Sequence, residues 1–203
     1  MPSLSSTAAE STTLGARRTG RGRLPQSLGA LLGALALCFA APALAAAPSE
    51  YQIKAVFLFN FSQFVTWPLK AFANADSPFV VGVLGRDPFG ANLESAVQGE
   101  RVDGRPIVVR RFRTAAEATD CQILFVDRSE PAALAESARV LQGHSVLSVS
   151  DAPDAARLGA VIEFTVDNNR IRLRINVAEA RSRGLTISSK LLRPALILGD
   201  GGG

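Results

Sequence analysis

From residue 78 onward, short apolar runs alternate with stretches of helix-forming residues, and that alternation predicts the fold. "FVVGVLG" (79–85), "PIVVRRF" (106–112), "CQILFVD" (121–127) and "SVLSVSD" (145–151) are rich in β-branched residues and bounded by Gly, Pro, Asp or Ser, as buried strands are. Between them, "PFGANLESAVQG", "TAAEATD", "SEPAALAESARVLQG" and "APDAARLG" carry helix formers and acidic residues, three of them closing on glycine. In the third, Ser129 is the expected cap, Pro131 sits inside the first turn and Gly143 is the stop. Strand, helix, strand repeated in this way predicts an α/β fold, a mostly parallel sheet flanked by helices.

The pattern changes at "AVIEFTVDNNRIRLRIN". A two-residue turn at Asn168-Asn169 fixes a hairpin register. Ile162, Phe164 and Val166 then face Ile175, Leu173 and Ile171 on one side, while Glu163 and Thr165 face Arg174 and Arg172 on the other. One apolar and one charged face predict a half-buried antiparallel hairpin at the edge of the sheet, with Glu163 and Arg174 as an exposed pair. Asn176 and Glu179 open a helix that Gly184 ends, and Ser188-Ser189 cap a short terminal helix. Residues 46–198 read as one domain, followed by a disordered tail over 199–203.

The segment "YQIKAVFLFNFSQFVTWP" (51–68) reads as a core helix. At 100° per residue, Ile53, Val56, Phe57, Asn60, Phe61, Phe64 and Trp67 fall on one broad core-facing side, and Lys54, Ala55, Ser62, Gln63 and Thr66 on the remainder. That polar side and the short length exclude a membrane span. Leu58, Phe59 and Val65 are left at the margins of the stripe. They are the candidate partner-binding residues, weighed against an ordinary contact under the following loop.

Residues 1–45 behave differently. Arg17, Arg18, Arg21 and Arg23 form a basic lead, Leu28 to Ala40 is an apolar or small-residue run, and Ala43-Leu44-Ala45 suits a signal peptidase, so the segment reads as a cleaved secretory signal. The arginine pair lacks the apolar residues that follow a twin-arginine signal, and Leu37 before Cys38 argues against lipidation. Removing the signal changes the charge picture: 22 basic and 18 acidic residues become 18 and 17. The mature chain carries no basic excess of the kind nucleic acid requires, and "VVRRFR" reads as strand-end arginines in water. Cys121 is then the single cysteine, placed as an inert thiol in a buried strand, so no internal disulfide forms.

Candidate chemistry is sparse. The single histidine, His144, lies at a loop and has no partners at ligand spacing, so no metal site, cofactor or catalytic residue is assigned. "GRDPFG" follows a strand and precedes a helix, where an α/β fold places a phosphate cradle, but it lacks both the P-loop ending and dinucleotide spacing. It reads first as a turn. Gly85, Arg86, Asp87 and Gly90 are the candidate loop for a small ligand, with Asp127 to Ser129 beside them at the strand ends.

Across residues 50–198 the chain resembles the YfiR family of periplasmic proteins. The resemblance is carried by "EYQIKAVFLFNFSQFVTWP", "VGVLGRDPFG", "VDGRPIVVRRF", "CQILFVDRSE", "VLSVSDAPDAARLGAVIEF" and "NRIRLRINVAEARSRGLTISSKLLRPA", in order. It implies an α/β periplasmic homodimer. Such a protein is a non-enzymatic regulator that binds the periplasmic sensor part of an inner-membrane diguanylate cyclase and lowers cyclic-di-GMP. An outer-membrane lipoprotein is implied as a sequestering partner. The alternative is a periplasmic small-ligand sensor acting on a histidine kinase or transporter. The chain departs from the better-known members in lacking their mature cysteine pairs, which excludes redox control through an internal bridge.

Overall fold

The computed structural model of the protein describes residues 47–198. The expected secretory signal (1–45) and the expected tail (199–203) lie outside the described residues. In chain order the elements are α1 (Glu50–Phe64), β1 (Val65–Thr66), a 3-10 turn (Leu69–Ala71), β2 (Phe79–Leu84), α2 (Ala91–Val97), β3 (Arg101–Val102) and β4 (Arg105–Phe112). A second 3-10 turn (Ala115–Ala118), β5 (Ile123–Val126), α3 (Pro131–Val140), β6 (Leu147–Ser150), β7 (Ile162–Asp167) and β8 (Arg170–Asn176) follow. The chain then forms α4 (Val177–Ser182), β9 (Thr186–Ile187), α5 (Ser189–Leu192) and β10 (Leu196–Leu198). Among these, no helix is long and apolar enough to cross a membrane.

Eight strands form one sheet in the order β10-β8-β7-β6-β5-β2-β4-β3, while β1 and β9 make a separate antiparallel pair. The central strands are parallel; β7–β8 and β3–β4 are antiparallel. Side chains alternate between two cores because successive strand residues point to opposite faces. Phe79, Val81, Val83, Ile123 and Phe125 join α1 in one cluster. Val80, Leu84, Leu124 and Val126 join Leu134 of α3 in the other. Burial on both faces explains why these strands read as continuous apolar runs. Gly82 is required in β2, since a Cβ there would sit 2.7 Å from the Phe112 ring.

The β7–β8 hairpin has the expected register, from Ile162↔Ile175 to Val166↔Ile171, and Asn168 and Asn169 both take positive φ (48° and 59°). It is not the last strand pair, because β10 adds in parallel to β8 from Leu196↔Arg174 to Leu198↔Asn176. Other expectations are corrected. "APDAARLG" forms turns and no helix, and "TAAEATD" holds only a 3-10 turn. The N-cap of α3 is Glu130, because the Ser129 hydroxyl donates to Asp127 instead. Glu163 is buried rather than exposed; it accepts from Arg174 at 2.8 Å and from the Ala156 amide at 3.1 Å.

The largest correction concerns α1. Its buried residues are Lys54, Ala55, Leu58, Phe61 and Ser62, whereas Ile53 and Val56 face solvent. Leu58 and Val65 therefore belong to the core and Phe59 packs against it half-buried, so the marginal surface patch read from the wheel is not on the surface. The helix is rotated because one polar residue on it has a buried partner.

Candidate functional site

Two parallel strands end on aspartate: β5 runs into Asp127-Arg128 and β6 into Asp151. The first turns of α1 lie over these ends. Ser49 starts the helix in a capping box, accepting from the Gln52 amide while the Gln52 side chain accepts from the Ser49 amide. This start presents Glu50, Tyr51 and Lys54 to the two aspartates.

Lys54 is 1% exposed and its Nζ lies 2.5 Å from both Asp151 Oδ2 and Glu50 Oε1. The ammonium also sits 4.5 Å from the centre of the Tyr51 ring. Asp151 is filled from every side: its Oδ2 also accepts from the Tyr51 hydroxyl at 3.1 Å and pairs with Arg128 Nε at 3.2 Å, while its Oδ1 accepts from the Arg128 amide at 2.8 Å. The Tyr51 hydroxyl reaches Asp127 as well, at 3.0 Å, and Arg128 closes the ring by donating to Glu50 at 2.7 Å. Lone ions at such depth would be costly; here Lys54, Asp151, Glu50 and Arg128 are paired, and Asp127 is held by hydrogen bonds from Tyr51 and Ser129.

The electrostatic consequences follow from these partners. The hydrogen bond from Lys54 holds Glu50 below its ordinary value against its own burial, with Arg128 assisting. Burial disfavours the Asp127 carboxylate, but bonds from the Ser129 hydroxyl and amide and from Tyr51 outweigh it and hold Asp127 low. Burial pushes the Tyr51 hydroxyl up to about 12, with the neighbouring aspartates adding to it. The hydrogen bond to Tyr51 and the charges of Asp151 and Glu50 raise Arg128. The group is therefore a set of fixed charges and a neutral phenol that donates. On its outer side is a cleft of about 330 Å³ lined by Glu50, Arg128, Asp154, Glu163, Thr165 and Arg174.

The sequence-read ligand loop lies next to this cluster. β4 and β5 flank β2, so connections leave β2 and β5 in opposite directions, the place where open α/β sheets offer a crevice. Gly85 (φ 73°) lies there, close against the Glu130 side chain, and Arg86 is exposed beside Asp127. Asp87 is committed elsewhere: it accepts from the Phe89 amide at 2.8 Å and pairs with Arg111 at 2.7 Å. Gly90 (φ 55°) starts α2. Tyr51 fills the middle of the crevice, its ring edge-on to Phe89 at 5.6 Å and its hydroxyl on Asp127. Asp127 and Arg128, which the sequence reading placed beside the loop, are thus brought together with residues it did not select, namely Glu50, Tyr51, Lys54 and Asp151. A signal for them existed: two predicted parallel strands close on aspartate, and a single lysine interrupts the apolar run "AVFLF" one position before it begins.

The YfiR/HmsC-like family model (DUF4154) matches residues 51–195, nearly the whole described body. The chain belongs to the YfiR/HmsC-like family. The family is one of regulators and not a known enzyme family, and membership supports a regulatory role in general. No curated protein sequence matches this YfiR/HmsC-like chain. Among solved structures it is similar to a conserved domain protein from Vibrio cholerae O1 biovar El Tor, with a TM-score of 0.49 and 13% identity. That match covers 73% of this chain and spans 60% of the Vibrio chain's length.

Proposed function

We propose that this YfiR/HmsC-like protein is a periplasmic, non-enzymatic regulator. It binds the periplasmic part of an inner-membrane diguanylate cyclase and restrains it, lowering cyclic-di-GMP. The observation that carries the reading is the family match across residues 51–195, supported by a leader with the composition of a secretory signal. The charge cluster serves the scaffold of this reading, since its acids and bases are turned toward one another and fasten α1 to the sheet. A homodimer, and an outer-membrane lipoprotein that sequesters it, belong to the same reading.

The test is deletion of the gene in its own cell with cyclic-di-GMP measured by mass spectrometry, and complementation with and without residues 1–45. A rise on deletion, reversed only by the exported form, is expected. Unchanged cyclic-di-GMP, together with no binding between the mature chain and any diguanylate cyclase sensor part, overturns the reading.

A further inference from the structure

Five serines are buried among the described residues, and four of them have partners. Ser62 donates to the Phe59 carbonyl at 2.6 Å and Ser137 to the Leu134 carbonyl at 2.8 Å, while Ser148 and Ser150 accept from the Val161 and Ala152 amides at 3.1 Å. Ser145 is the exception. It is 8% exposed, and its buried Oγ has no hydrogen-bond partner among the described residues. A buried hydroxyl left unpaired costs free energy, so one kept in a packed fold points to a partner from outside the chain.

Ser145 lines a hollow of about 110 Å³ together with Lys70, Thr119, Asp120, Cys121 and His144. Three chain segments that lead into strands supply these residues: the 3-10 turn Leu69–Ala71, the approach to β5, and the turn between α3 and β6. Strands β5 and β6 run from here to Asp127 and Asp151, so the hollow lies at the opposite end of the sheet from the charge cluster. Local geometry sets the serine in place. Gly143, at φ 77°, turns the chain after α3, and Gly184 packs close by, since a Cβ there would stand 3.9 Å from Ser145 Oγ.

The hollow is larger than one structural water requires, which is only about 10–15 Å³. Its lining does not suit a metal ion. No group of three His, Cys, Asp or Glu side chains converges among the described residues, and Cys121 is not a thiolate: its Sγ donates to the Ala118 carbonyl at 3.0 Å and burial pushes the thiol up. The lining suits an anion. Lys70 has no acid within ion-pair reach among the described residues, and Asp120, the one acid of the lining, is exposed and likewise unpaired. An exposed lysine alone would signify nothing. Beside a buried hydroxyl free to donate and the imidazole of His144, it completes a donor set in which the single acid is screened by solvent.

We infer that this hollow binds a small oxyanion, a phosphate or carboxylate group, which accepts from the Ser145 hydroxyl and pairs with Lys70 beside His144. The site is separate from the Gly85–Gly90 loop and independent of the function proposed above.

The test titrates the mature chain with inorganic phosphate and, separately, with acetate at constant ionic strength, followed by calorimetry and by the NMR signal of His144, the sole histidine. Saturation by at least one of these anions at or below about 1 mM, with the His144 signal moving in step, is expected, and the tighter of the two identifies the group. Ser145→Ala and Lys70→Ala should each weaken it about tenfold or more, because hydrogen bonds to ions are the stronger class. Asp120→Asn should tighten it several-fold. Arg86→Ala, at the other end of the sheet, should leave it unchanged. Ser145→Ala removes a hydroxyl that has no protein partner, so without anion its melting temperature should match that of wild type; the saturating anion should raise the wild type more. Saturation by neither anion, full affinity in Ser145→Ala, a loss of affinity in Asp120→Asn, or binding that leaves the His144 signal unmoved would each overturn the inference.

Discussion

Among the cations that each meet two acids, Lys54 and Arg111 differ most usefully in depth. Lys54 with Glu50 and Asp151 lies at the strand ends, with Lys54 and the Asp151 side chain only 1% and 2% exposed. Arg111 with Asp87 and Glu94 lies across the ligand loop on the surface, its side chain 40% exposed. The short-range geometry is alike; the solvent is not. In water the attraction is weak and an unpaired ion is tolerated, whereas in the interior an unpaired ion is expensive, so the two sites respond unequally to the loss of one partner.

Lys54→Met should break this comparison most visibly. It removes the closer and more deeply buried of the two cations on the Asp151 carboxylate, leaving Arg128 Nε at 3.2 Å, and should cost about 3 kcal/mol, read from urea unfolding of the mature chain. Combining it with Asp151→Leu, which removes the carboxylate left under-compensated, should recover part of that loss, because well-packed apolar replacements of a buried pair are often neutral or better. A double substitution no milder than Lys54→Met alone would mean that packing of α1, and not charge, dominates the site.

Tyr51→Phe sharpens the same point with a smaller effect. The ring keeps its contact with Phe89, while Asp127 and Asp151 lose a shared donor. Hydrogen bonds to charged groups are worth about 1.5–3 kcal/mol, and a loss in that range is expected in the same unfolding measurement.

Acid should then weaken the cluster in a fixed direction. Glu50 and Asp127 are held below their ordinary values in the folded protein. In the unfolded chain they return to about 4, so between that value and the lower folded ones the unfolded state binds more protons. Their contribution is therefore present above about pH 4 and is lost as pH falls through the folded values. Melting temperatures measured from pH 6 to pH 2 should drop over that window, and Asp127→Asn should drop less steeply than wild type.

Much of this architecture was legible. The strands β2, β4, β5 and β6 announced themselves because burial on both faces demands unbroken apolar runs, and Asn168-Asn169 set the hairpin register through positive φ alone. These are local causes. Two misread features depend on side-chain partners that a periodicity argument does not carry: Lys54 is drawn inward by Asp151, 97 residues away, and Ser129 is taken from its helix by Asp127, its near neighbour in the chain. Strand β10 pairs only because β8 offers an edge, and the hairpin over β3–β4 turns on Asp103-Gly104, whose positive φ pair was readable as a turn signal but followed a strand of two residues. The candidate site suffered most. A periodicity argument assigns lysine to solvent by default, and one buried ion pair rotates the whole helix.

The smallest expected effect tests the shallow half of the comparison. The hydrogen bond to Glu94 and the bonds to Asp87 raise Arg111, and Arg111 in turn holds Glu94 low. These groups nevertheless remain in contact with water, where the freed acids can be resolvated and the long side chain regains its rotamers. Arg111→Ala should therefore cost no more than about 1 kcal/mol, and raising the salt to about 1 M should shrink even that. Asp87 would still hold the loop through the Phe89 amide. A loss as large as that of Lys54→Met would show that the Gly85–Gly90 loop depends on Arg111 for its shape, making this surface group as structural as the buried one.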